Sequence, residues 1–165
     1  LFSGLSQYTP FLPFVLQFVF SFAAAHSTVR VFAFVDSLEE ITDRIDPVDI
    51  KKSVEAVCSG ARVVRRGLTD YGNAFKGFFR RHRNELTSRT TIIVVGDARN
   101  NSFPSETNLL GEMDEMSAGV YWLNPENSAF WGMGDSYMNV YAPHCRAVFE
   151  SRNIRQLRDF MEHLL

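Results

Sequence analysis

The chain has 165 residues, a formal net charge of −2, 45% hydrophobic residues and 22% charged residues. That length suits one domain with a core of its own, and a single domain over residues 1–165 is expected. The slightly acidic balance argues against nucleic-acid binding as the main task, because neutralising phosphates takes a surplus of Lys and Arg.

Residues 6–25 are predicted to form a helix, with Thr9 as N-cap and Pro10 at the first helical position. Its apolar stretch, residues 11–25, is short for a membrane span and has no basic leading region of the kind a signal peptide carries. It is therefore expected to cover one face of a sheet, and no membrane span is expected. Residues 28–35 (TVRVFAFV) are β-branched and aromatic and read as a buried strand. Residues 38–45 follow a tight turn and are expected as an edge strand antiparallel to it. Asp46 then caps a helix running to about residue 58, which Ser59-Gly60 ends.

Residues 62–68 read as a short extended piece, and residues 70–83 as a helix with Phe75, Phe78 and Phe79 on one side. The basic cluster Arg80-Arg81-His82-Arg83 falls late in that helix, where positive charge favours the carbonyl end. Residues 90–95 (TTIIVV) give the strongest strand signal and run into Gly96-Asp97. A helix over 105–116, a strand over 119–123, a short strand over 146–149 and a final helix capped by Asn153 complete the prediction. Cys58 and Cys145 lie far apart in no metal-binding spacing, and are expected to be reduced thiols of a cytoplasmic protein.

Strands alternating with helices predict an α/β fold: a doubly wound, mostly parallel sheet with helices on both faces. Ligands of such sheets bind beyond the carboxyl ends of the strands. Three groups fall there. Asp97 ends the TTIIVVG run, and a carboxylate in that place is either a hard-cation ligand or the cap of the following loop. The turn Thr69-Asp70-Tyr71-Gly72-Asn73 offers hydroxyl, carboxylate and helix N-terminal amides, although capping alone accounts for Thr69 and Asp70. The third group joins Trp122-Leu123-Asn124-Pro125-Glu126 to Trp131-Gly132-Met133-Gly134-Asp135, which reads equally as a partner surface or an inward-folded lid. No GxSxG elbow and no GxxxxGK[ST] loop is present, so neither a serine hydrolase nor an NTPase is supported.

The runs VRVFAFVDSLEEIT, LTDYGNAF, TTIIVVGDARNN, VYWLNPE, WGMGDS and ESRNIRQLRDFMEHL, in that order, resemble the CoxE-like branch of von Willebrand factor A (VWA) domain proteins. The resemblance implies a metal-ion-dependent adhesion site built from a DxSxS motif after the first strand, a second-loop hydroxyl and a third-loop Asp. Thr69 matches the hydroxyl and Asp97 the carboxylate, with Mg²⁺ or another divalent cation as the implied ligand. Asp70, Tyr71, Asn100, Trp122, Asn124 and Trp131 surround these two and are the candidate partner-binding residues. The DxSxS motif itself is not in this sequence, and the expectation is a chain that begins just downstream of the central first strand. The function implied is not enzymatic: it is metal-assisted binding of a protein partner, with a MoxR-type AAA+ ATPase as the implied associate in assembling or maturing another complex. A metal-dependent hydrolase using Asp97 with Asp70 or Asp135, and a structural domain with a degenerate metal site, are the alternatives.

Overall fold

The computed structural model describes Phe18, residues 29–46, Asp49, Lys52, Ser53 and residues 68–164. Five strands are seen among these: β1 (Phe32–Phe34), β2 (Leu38–Glu40), β3 (Thr91–Val95), β4 (Gly119–Asn124) and β5 (Ala147–Glu150). The helices are α1 (Tyr71–His82), α2 (Thr107–Glu115), the short α3 (Met138–Tyr141) and α4 (Ile154–Leu164). The predicted helices over 6–25 and 46–58, the extended piece over 62–68 and Cys58 lie largely or wholly outside the described residues. Asp46 does accept the Asp49 N–H at 3.3 Å, as a cap would. Among the described residues, no helix is long and apolar enough to cross a membrane.

Two ladders are formed. β1 pairs antiparallel with β2, with Ala33 opposite Glu39. β3, β4 and β5 run parallel in sequence order, Val94 beside Trp122 and Trp122 beside Val148. The expected edge strand over 38–45 is shorter than its alternation suggested. After Glu40 the chain turns into a 3₁₀ segment (Thr42–Arg44) while the Ile41 N–H still donates to Val31 O at 2.8 Å.

Side chains alternate between the two faces in both ladders, as a pleated strand requires. Phe32, Phe34, Ile92, Val94, Val120 and Trp122 join one core cluster, with Tyr71 and Phe75 of α1 and Leu110 and Met113 of α2 packed over them. Val31, Ala33, Val95 and Leu123 join the other, under Leu157 and Phe160 of α4 and Phe18. Both faces are therefore covered, which is why these strands read as unbroken apolar runs in the sequence. The fold is the α/β arrangement with parallel strands that the strand–helix alternation predicts.

Candidate functional site

The carboxyl ends of β3 and β4 meet the amino end of α1, and aromatic packing fixes that junction. Trp122 is fully buried and lies stacked between Tyr71 (centroids 5.3 Å) and Tyr141 (5.1 Å). Its indole N–H donates to Gly96 O at 2.7 Å, so the ring carries both packing and the position of the turn leading to Asp97.

The loop after β3 is then sewn to the start of α1 by four hydrogen bonds. The Tyr71 N–H donates to Asn100 Oδ1 at 2.8 Å, and the Asn101 amide donates to Thr69 O at 3.0 Å. The Tyr71 hydroxyl donates to Asp97 Oδ1 at 3.3 Å while accepting the Ala98 N–H at 3.0 Å. Asp97 Oδ1 also accepts the Arg99 N–H at 3.0 Å, which closes a tight Asx turn. Asp97 is only 8% exposed.

Backbone geometry around this loop is unusual. Ala98, Asn101, Ser102 and Glu106 all have positive φ, between 50° and 63°, a region that non-glycine residues rarely enter. Such residues cost of order 1–3 kcal/mol each and persist only where surrounding contacts hold them. The stitching just described supplies those contacts. Close approach is enforced from the other side by Gly72: a Cβ there would lie 2.0 Å from Pro104 O, so no other residue fits the first turn of α1 against this loop.

A second loop, between β4 and α3, folds over the first. Asn100 N–H donates to Asp135 O at 3.1 Å and Tyr137 N–H to Ala98 O at 2.8 Å, with Arg99 bridged to Ser136. The Arg99 guanidinium spans both ends of this second loop, pairing with Asp135 at 2.5 Å and with Glu126. Its hydrogen bonds to Glu126 and then Asp135 hold the Arg99 pKa above its ordinary value. Trp131 is half-buried and donates to Glu126 O at 3.1 Å, whereas its neighbours Phe130 (52% exposed) and Met133 (57% exposed) face outward. Turns at Gly132 (φ 78°) and Gly134 (φ 62°) set that shape.

This arrangement puts α1 and the β3 and β4 loops together at one sheet edge. Over residues 6–160 the chain matches VWA domain containing CoxE-like protein. The chain belongs to that family. Among solved structures, a von Willebrand factor type A protein from Catenulispora acidiphila superposes with a TM-score of 0.59 at 15% identity, covering 98% of this chain. That identity bears on the fold alone, and the chain spans 40% of the length of that protein. An uncharacterized membrane spanning protein from Vibrio fischeri aligns at 16% identity over 93% of this chain and 83% of its own, with a TM-score of 0.31 too low to bear on either fold or function. Comparison with curated proteins gives no match.

Within this VWA domain, Thr69 and Asp97, the residues that the sequence resemblance proposes for a metal site, sit on loops bound directly to each other. Both would offer hard oxygen donors of the kind Mg²⁺ takes. No three His, Cys, Asp or Glu side chains gather into a metal-sized group among the described residues. The neighbouring residues are sorted differently from the sequence expectation. Tyr71, Asn100, Trp122 and Asn124 are wholly enclosed, so a partner would not touch them. Tyr71, Asn100 and Trp122 brace the loops, and Asn124 Oδ1 accepts the Glu126 N–H at 2.8 Å. Asp70 caps α1 by accepting the Asn73 N–H at 2.8 Å. Trp131 alone of the aromatic candidates reaches the surface in part, so the tryptophan group divides between a packed support and a half-exposed loop.

Sequence reasoning did not single out Arg99 or Gly72. The partners of Arg99 lie 27 and 36 residues away, and no local pattern marks such a clamp. Gly72 looked like one more polar-turn residue, and only the close approach of Pro104 explains it.

Proposed function

We propose that this VWA domain is a cytoplasmic binding module that grips a protein partner through a divalent cation. Thr69 and Asp97 hold that cation as part of an oxygen ligand set. In this reading the module works with a MoxR-type AAA+ ATPase in assembling or maturing another complex. VWA domains commonly mediate protein interactions, and membership of the family supports the reading. The observation that supports it is the direct stitching of the Thr69 segment, through its backbone carbonyl, to the loop that carries the Asp97 carboxylate. When bound, a Mg²⁺ ion would supply a coordination position for an acidic side chain of the partner.

Hydrolysis is the weaker reading. It would recruit Asp70 or Asp135 beside Asp97, but Asp70 is engaged in capping α1 and Asp135 in pairing with Arg99. The test uses the full-length protein. Asp97→Ala is expected to abolish partner capture that EDTA also abolishes in the unaltered protein. Capture that is indifferent to both EDTA and Asp97→Ala would overturn the proposal, and turnover of a phosphoester or acyl substrate lost in Asp97→Ala would favour the hydrolase.

A further inference from the structure

The basic cluster late in α1 divides into two sets by what its members touch. Arg81 turns back toward the β1–β2 ladder, donating to Leu38 O at 3.0 Å and Gly77 O at 3.1 Å. His82 sits against Phe32 and Phe78 and within 3.1 Å of Glu85. These two are structural. Arg80 and Arg83 face the other way, into a groove of about 600 Å³ that they line with Asn73, Lys76, Phe79 and Leu109. Among the described residues, neither Arg80 nor Arg83 pairs with a carboxylate, and Arg83 instead stacks on the Phe79 ring at 4.9 Å. Lys76 is 54% exposed and meets Glu106 at 2.6 Å.

Attraction to the helix's carbonyl end accounts for charge in the last turn, but that field fades within one turn and does not explain Lys76. Lys76, Arg80 and Arg83 follow the i, i+4, i+7 spacing of one helix face and extend about 10 Å along it. Three cations share the groove with one carboxylate, in a chain whose net charge is −2. The groove thus carries a local positive surplus against the sign of the whole molecule. Leu109 adds partly exposed apolar surface to the groove lining.

We propose that this α1 groove binds an acidic amphipathic helix of a protein partner, its carboxylates at i, i+4 and i+7 facing Lys76, Arg80 and Arg83 and its apolar seam lying on Leu109. Nucleic acid fits less well. Phe79, 8% exposed and already covered by Arg83, offers no face on which a base could stack. The groove begins one turn beyond Asp70, yet its binding needs no cation at Asp97. It goes beyond the metal-dependent reading and can fail separately from it.

The test measures binding of a labelled synthetic helix, with Glu at i, i+4, i+7 and i+11 around a Leu seam, to the full-length protein in EDTA. Saturable binding is expected, weakened about tenfold by R80E/R83E and by raising salt from about 50 to about 200 mM. A smaller loss is expected for R80Q/R83Q, which neutralises the charge without reversing it at the helix end. R152Q/R158Q should bind as the unaltered protein does. Circular dichroism of each variant confirms folding. The proposal is overturned if the peptide fails to bind in EDTA, or if it binds R80E/R83E and R80Q/R83Q as well as the unaltered protein. It is also overturned if oligo(dT) or phosphatidylserine vesicles bind the unaltered protein more tightly than the peptide and lose that binding in R80E/R83E.

Discussion

Two loops leave the same edge of the sheet and are built on opposite principles. The loop after β3 is buried at Asp97, Ala98 and Asn100, holds four non-glycine residues at positive φ, and meets α1 through a set of side-chain and backbone hydrogen bonds. The loop after β4 takes its left-handed turns at Gly132 and Gly134 and turns Phe130 and Met133 outward. Strain held by many contacts suits a carboxylate that must stay in one place. Glycine turns and exposed apolar side chains suit a surface that can adjust to another molecule. Position and adaptability are thus divided between neighbours.

That contrast can be broken most severely at Gly72. Gly72→Ala puts a methyl group 2.0 Å from Pro104 O, and neither backbone can yield cheaply. A loss of about 3 kcal/mol is expected from chemical denaturation of the full-length protein, as for other overpacked sites. A loss below about 1 kcal/mol would mean the two segments are less rigidly opposed than described.

Tyr71→Phe is the gentler cut. It keeps the aromatic packing on Trp122 and removes only the hydroxyl that joins Asp97 Oδ1 to the Ala98 N–H. The stranded buried N–H should cost about 1–3 kcal/mol, and cation affinity measured by calorimetry should fall with it. Unchanged stability would show that the hydroxyl is not what holds the loop.

The smallest effect is expected in the second loop, from pH. Glu150 accepts the Ser128 N–H, with further hydrogen bonds from Gln156 and Arg152, and these hold its carboxyl down at about 2 against an ordinary 4.5. A depressed carboxylate contributes stability above its unfolded value and loses it as pH falls through the folded one. Exchange of the Ser128 amide, corrected for intrinsic rate, should therefore accelerate between about pH 4.5 and pH 2, while the Ala98 amide stays protected. Equal acceleration at both would erase the distinction between the loops.

Much of this organisation was legible in the sequence, for reasons that differ by region. Strand runs such as TIIVV and helix signals such as Asp70 before Tyr71 are local, and the structure places those elements within a residue or two of expectation. Asp97 is marked by its place at the end of the TTIIVVG strand and Thr69 by the family pattern, and the structure joins the two loops that carry them. Misreading began where burial had to be inferred. Trp122 was grouped with the polar residues after it, although the alternation of Val120 with Trp122 already assigns both to the same covered face. Tyr71 and Asn100 were expected near a partner and are enclosed, because a polar group satisfied by a distant backbone atom leaves no mark in its own neighbourhood. The short helix α3 was missed as well; four residues carry too little periodicity to register.

Arg99 ties the two loops together through its side chain. Its backbone N–H holds Asp97 Oδ1, and its side chain holds Glu126 and Asp135. A visitor that shifts residues 126–135 must either drag Arg99 along or break its ion pairs, and in both cases the carboxylate beneath loses a fixed neighbour. Whatever docks on the outer loop and whatever leans on Asp97 therefore share a hinge pin. Linkage through such a point acts with equal strength in both directions.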